Sequence, residues 1–301
     1  MLAPHSPPAK PPPQAPTGAP RSLIITADDF GLHPRINEAI ERAHLEGVLT
    51  AASLMVGAPA AADAIERAKH LPRLRIGLHL VLADGQATMK PSDIPDLVDR
   101  AGHFDEAMVR NGFRFFFLPR VRAQLALEIR AQFEAFAATG LPLDHVNTHK
   151  HFHLHPTVLS LILEIGRDFG MRAIRLPREA PAPLALRPWI ALVKARLDNN
   201  GIAHNDQVTG MASSGRLDEA AFISALTRLP NGVTEIYCHP AVPGECALTQ
   251  SMKHYRHADE LAALLSPNVA AAMDATGALR GGFSDIFPAG PASLKRTVKS
   301  A

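Results

Sequence analysis

The apolar run in "IITADDFGLHP" ends in two adjacent carboxylates, Asp28 and Asp29. Further along, a single imidazole, His79, sits inside "GLHL". The string "HVNTHKHFHLHP" then sets His145, Asn147, His149, His151, His153 and His155 on alternate positions, and His239 follows another apolar run in "YCHPAVPGE". Carboxylate oxygens and neutral imidazoles are the donors of a borderline divalent ion such as zinc, and magnesium serves where water completes the shell. A spare acid beside such an ion can take a proton, and a histidine, titrating near neutrality, can return one. These residue types together fit metal-assisted hydrolysis.

Adjacent side chains on a flat strand point to opposite faces, so Asp28 and Asp29 cannot both grip one ion from such a strand. One is expected to ligate; its neighbour, at the bend, is expected to face the attacking water as a base. The same period of two would line up the odd-numbered residues from His145 onward. That extended face is not expected to last to His155, because Pro156 suits the first turn of a helix. One or two members of the string are expected to bind metal, the others to support the ligands or touch substrate. Taken singly, each feature has a plainer explanation. Asp-Asp can cap a helix, His79 can be a hydrogen-bonded core residue, His239 can cap a turn, and the string can be an adventitious chelator. Their meeting at one end of one sheet is what favours a metal site.

Short β-like runs must bring these residues together. The candidates are 22–27, 50–56, 75–82, 143–149, 173–177, 206–211, 233–238 and 268–273. Between them lie stretches with apolar residues at the helical period, among them "RINEAIERAHLEG", "AAADAIERAKHL" and "PTVLSLILEIGRDFG". Strand–helix alternation implies a parallel sheet, and in such folds functional groups gather at the C-terminal strand ends. All four acid and histidine segments fall there. The expected class is α/β, an irregular TIM-like (β/α) barrel forming a single domain over residues 21–280, with a doubly wound open sheet as the alternative. The Pro-rich residues 1–20 are expected to be disordered, and residues 281–301 to form a loosely ordered tail.

Other features narrow the function. A formal charge of +2 over 301 residues, with no basic cluster interleaved with stacking aromatics, argues against nucleic acid. Two cysteines, Cys238 and Cys246, make no disulfide framework, which favours a reducing, cytoplasmic setting. No apolar run approaches the ~20 residues of a membrane span. An insertion over 83–118 ends in "GFRFFFLPRVR", and the stretch around Trp189 reads as a basic amphipathic helix. Both fit peripheral membrane contact; the competing reading packs Phe115, Phe116 and Phe117 on the barrel or in a homodimer contact.

The segments "TADDFGLHPRINEAI", "IGLHLVL", "HVNTHKHFHLHP" and "EIYCHPA" resemble, in order, the motifs of the YdjC-like carbohydrate deacetylases, which include chitooligosaccharide deacetylases. The resemblance runs from about Leu23 to Met273. Within that family the chain looks most similar to the hopanoid-biosynthesis-associated branch. The resemblance implies one divalent ion held by Asp29, His79 and His149, with Asp28 as general base. His239 would deliver a proton or touch substrate. Asn147, His151, His153 and Arg175 would support the ligands or meet the substrate. The implied reaction removes an N-acetyl group from an amino sugar, carried either on a glycosylated hopanoid lipid or on a soluble chitooligosaccharide. One departure stands out: many relatives have Asp-Ser where this chain has Asn147-Thr148, so an amide replaces a carboxylate beside the ligands. Two rivals remain. A phosphoesterase could use Arg175 and Arg178 for phosphate, and a non-catalytic metal carrier could use the histidine string alone. A glycosidase fits poorly, since its two carboxylates flank a scissile bond and adjacent aspartates cannot.

Overall fold

A computed structural model describes residues 20–180, 184–244 and 248–288. The expected disorder of residues 1–20 falls almost wholly outside that range. The strands are β1 (Arg21–Phe30), β2 (Ala51–Leu54), β3 (Arg75–Leu80), β4 (Gly85–Gln86), β5 (His103–Phe104), β6 (Val146–Thr148), β7 (Gln207–Thr209), β8 (Gly232–Cys238) and β9 (Leu279–Arg280). The helices are α1 (Pro34–Leu45), α2 (Ala61–Lys69), α3 (Met108–Phe117), α4 (Pro119–Ala138), α5 (Pro156–Asp168), α6 (Arg187–Asn199), α7 (Glu219–Thr227), α8 (His257–Leu265), α9 (Pro267–Ala275) and α10 (Phe283–Ile286).

The fold is α/β, built on a curled parallel half-barrel of six strands in the order β6-β3-β2-β1-β8-β7, with short β9 beside the start of β1. The strands are buried on both faces, which is why they read as nearly unbroken apolar runs. Where a complete TIM-like barrel would carry further strands, the described residues form single bridges, Val146 to Ile174 and Ala173 to Ala203. The strand expected over 173–177 is therefore reduced to isolated pairing. The run expected as a strand over 268–273 lies within α9. Alanine-rich "VAAAM" favours helix, and Ser266 caps it through hydrogen bonds from the Asn268 and Val269 amides, with Pro267 in the first turn. The insertion after β3 contains the β4–β5 hairpin and α3.

The lower end of the half-barrel is closed by the C-terminal segment. Phe283 is fully buried against Ile24, Ala51, Ala173 and Val233. Asp144 holds it there, accepting from the Phe283 and Ser284 amides and the Ser284 hydroxyl at 2.6–3.0 Å, while Asp285 pairs with Arg75. Residues 281–288, read from sequence as part of a loose tail, are thus packed. A single phenylalanine and an N-terminal cap are too short a pattern to read as an element.

Candidate metal centre

The upper ends of β1, β3, β6 and β8 meet at one cavity of about 260 Å³, whose walls include the predicted Asp28, His79, His149, His151 and His239, together with Tyr237 and Tyr255. At the end of β1 the pairing register with β2 shifts between Ala27 and Phe30, and Asp29 takes a left-handed backbone, φ 64°. That bulge turns two neighbouring aspartates to one side, which a flat strand forbids. The chain then enters α1 through His33, whose Nδ1 accepts from the Arg35 amide.

Asp29, His79 and His149 are buried and converge. Asp29 Oδ1 lies 3.3 Å from His79 Nε2 and 3.1 Å from His149 Nδ1, and the two ring nitrogens are 3.4 Å apart. Donors held 2.0–2.1 Å from a common tetrahedral ion stand about 3.3 Å apart, so the triangle has the size of a metal site. Neither Asp29 oxygen accepts a hydrogen bond from any described residue. A buried carboxylate without donors is costly unless a cation faces it. The residues therefore fit a divalent ion.

The supporting contacts follow from register. His79 and Asn147 are paired neighbours on β3 and β6, and His79 Nδ1–H donates to Asn147 Oδ1 at 2.7 Å. This leaves the Nε2 lone pair facing Asp29. The amide at 147 also donates, to Asp28 Oδ1 at 3.1 Å and to Ser53 Oγ at 2.9 Å, which a carboxylate could not do. Ser53 meets His145 Nε2, and His145 Nδ1 meets Asp144. The His145 ring lies over Gly77, where a Cβ would come within 2.4 Å of it.

Asp28 is held differently from Asp29. The fully buried Arg175 guanidinium donates to both its oxygens, at 2.5 and 2.9 Å, and to both oxygens of Glu235, at 2.8 and 3.0 Å. Its Cζ lies over the Tyr237 ring, 4.6 Å from the ring centre. Burial alone would raise the Asp28 pKa, but Arg175, His79 and His239 outweigh it and hold the carboxyl well below its usual range. Burial likewise opposes charge on His149, yet Asp29 and Asp84 raise that ring to about 9.

The other expected residues separate. His151 lines the cavity and meets the Tyr237 hydroxyl at 3.1 Å. His153 does not: its Nδ1 accepts from Thr148 Oγ1 at 2.7 Å and its Nε2–H donates to the Arg175 carbonyl at 2.9 Å. Burial, with Arg175 nearby, lowers its pKa to about 3, so it is a neutral brace between β6 and Arg175. His239 is buried with Nδ1 unpartnered and its ring beside Tyr255, and burial lowers its pKa. Glu260 and His257 pin its backbone N–H and carbonyl. The alternation of the string stops at His149. Lys150 and His151 are left-handed, so only residues through Thr148 keep the extended face.

Sequence reading missed Ser53, Glu235 and Asp84. A polar residue within "AASLMV" and an acid within "VTEIYC" were available signals, because each must find a partner once buried. Asp84 sits in a turn-like "ADG" and gave none. Its Oδ2 lies 3.7 Å from His149 Nε2 and 2.7 Å from Lys150 Nζ. Asp29, Asp84, Lys150 and His151 are the non-glycine residues with positive φ among those described, so the strained backbone is confined to this site.

The YdjC-like protein family model matches residues 22–275. The chain is 32% identical over 240 residues to a carbohydrate deacetylase of Brevibacillus brevis, covering 79% of this chain and 89% of that protein. It is 33% identical over 258 residues to one of Geobacillus stearothermophilus, covering 84% and 93%. A solved structure from Enterococcus faecalis, named for cellobiose-phosphate cleavage, matches with a TM-score of 0.72 at 25% identity, over 89% of this chain and 99% of that one. The chain belongs to the YdjC-like family.

Proposed function

We propose that this protein is a metal-dependent carbohydrate deacetylase that hydrolyses the N-acetyl group of an amino sugar. The observation that carries the reading is the pair of adjacent acids with opposite surroundings: Asp29 faces two imidazole nitrogens, and Asp28 is fixed beside it by Arg175 and Asn147. The names of the relatives from Brevibacillus and Geobacillus support it. Asp29, His79 and His149 would hold the ion, which supplies Lewis-acid polarisation of the acetyl carbonyl and lowers the pKa of a nearby water.

This chain's own residues handle the protons. Asp28 takes the proton of the attacking water at a carboxylate oxygen. Arg175 and Asn147 keep that carboxylate ionised and aimed, and a carboxylate so stabilised is a weak base suited to an acidified water. Burial disfavours a charged His239, so the proton it gives to the leaving amine is the one that Asp28 has taken from the water. Tyr255 and Tyr237 frame its ring and fix where that proton arrives. Because Asp28 and Glu235 take four of the five N–H donors of the fully buried Arg175, little is left for a phosphate, which weighs against a phosphoesterase.

The finer reading is that the sugar is the N-acetylglucosaminyl group of a glycosylated hopanoid. Similarity to that branch, including the "FRFFF" insertion, supports it, and soluble chitooligosaccharide is the alternative. Acetate release from both substrates by zinc- and magnesium-loaded protein tests the two together. Release from the lipid conjugate well above that from chitooligosaccharide is expected; release from neither removes the deacetylase reading.

A further inference from the structure

We propose that the face formed by α3 and the start of α6 docks on an anionic lipid bilayer. Exposed large apolar side chains are concentrated on this protein, not scattered. Of eleven among the described residues, Val109, Phe113, Phe116, Phe117 and Leu118 lie on α3 or its C-cap. Three more, Leu184, Leu186 and Leu192, lie on the stretch that leads into and forms α6. Single exposed apolar residues are ordinary on a soluble surface; a contiguous patch marks an interaction site.

Both groups border one short stretch of chain. Phe152 and His155 join Phe113, Phe116 and Phe117 around an apolar groove of about 500 Å³. Trp189 of α6 donates its indole N–H to the Leu154 carbonyl at 2.9 Å. This stretch follows directly from His149 and His151, which line the cavity of the candidate metal centre. The Phe113 and Phe117 rings stack at 6.3 Å, and Phe116 meets Phe117 edge-on at 4.9 Å, forming a ridge outside the protein core.

Charge selects the occupant. From Arg110 to Arg122 the chain carries Arg110, Arg114, Arg120 and Arg122 and no acid. Asp105 and Asp96 pair with Arg110 and Arg120 from outside that stretch, so the excess positive charge rests on Arg114, which donates to the Asp96 carbonyl, and on exposed Arg122. Aromatic side chains flanked by arginines suit the boundary between acyl chains and anionic headgroups. A two-fold contact between copies would instead bring the arginines of both copies into one interface. No helix among the described residues is long and apolar enough to cross a membrane, so the contact proposed is peripheral.

The test is co-sedimentation of the full chain with phosphatidylcholine vesicles, with and without phosphatidylglycerol. Binding to the anionic vesicles that weakens with salt is expected. The variant Phe113→Ser/Phe116→Ser/Phe117→Ser should bind them at least about tenfold less, while releasing acetate from soluble acetylated chitooligosaccharide like the parent. Absence of vesicle binding by the parent, or equal binding by the variant, overturns the proposal. So does a dimer seen by light scattering that the variant abolishes, since that assigns the face to a second copy. The proposal does not rest on the deacetylase reading: if neither protein releases acetate, that reading falls and the vesicle result stands.

Discussion

Arg175→Met keeps much of the side chain's length and removes its charge, and so tests how the site tolerates its acids. The guanidinium is fully buried and makes four hydrogen bonds to Asp28 and Glu235 at 2.5–3.0 Å. Removing one partner of a buried ion pair costs about 3–5 kcal/mol, because the other keeps its desolvation penalty. Two carboxylates lose their partner here, so the loss near neutral pH should approach about 5 kcal/mol. At about 2–4 °C per kcal/mol for a large domain, the variant should melt about 10–20 °C below the parent. The pH dependence should change as well. In the parent, burial raises Asp28 but Arg175 outweighs it, leaving the folded pKa below the unfolded one. Such a group contributes stability present above the unfolded pKa and lost as pH falls through the folded value. Without Arg175, burial dominates and the sign reverses: the contribution is present at low pH and lost as pH rises. The deficit should therefore narrow between about pH 7 and pH 5. Thermal melts followed by circular dichroism at both values measure it. A variant melting within about 3 °C of the parent, with the same pH slope, would refute Arg175 as the counter-charge.

Asp28→Asn preserves shape and should bind metal normally by calorimetry while acetate release falls about 10²–10⁴-fold; near-parental turnover would move the base elsewhere. His79→Ala breaks the triangle of donors but leaves "HKHFHLH" intact, so elemental analysis should find stoichiometric metal lost; full retention would point to a linear chelator. Phe283→Ala opens a cavity under the half-barrel and should cost about 3–5 kcal/mol in denaturant unfolding, with activity per folded molecule unchanged. A loss under about 1 kcal/mol would show that the C-terminal segment closes nothing.

What could be read from sequence was whatever depends on local pattern. The alternation of apolar runs with helical periods located β1, β2, β3, β6, β7 and β8, and the rule of strand ends gathered the residues of the cavity. Non-local pairing was not readable. Nothing in "AIRLP" says that Arg175 reaches across the sheet to Asp28 and Glu235, because that depends on which strands curl together. The alternation of the histidine string misled beyond Thr148, since period-two reasoning assumes an extended chain and Lys150 and His151 leave it. "NVAAAM" misled because a short apolar run suits a buried strand and a helix equally; the cap at Ser266 was the deciding signal. Asp84 was hidden because Asp-Gly reads as a turn wherever it occurs.

Why two acids stand side by side at the end of so apolar a strand now has a physical answer. The bulge and the left-handed backbone at Asp29 bring both into one cavity, where identical carboxylates would compete for the same partners. Register prevents this. Arg175 and Asn147 occupy both oxygens of Asp28, whereas Asp29 faces His79 and His149. Asp28, Asp29 and Glu235 against one guanidinium leave two buried negative charges, with the rim pair Asp84–Lys150 neutral. A buried excess of two is not tolerated without compensation. A proton on His149, favoured by Asp29 and Asp84, offsets part of that excess, and a divalent cation displacing the proton would offset all of it. The same arrangement that leaves Asp29 open to a cation ties Asp28 to Arg175 and Asn147, which is the division of roles proposed above.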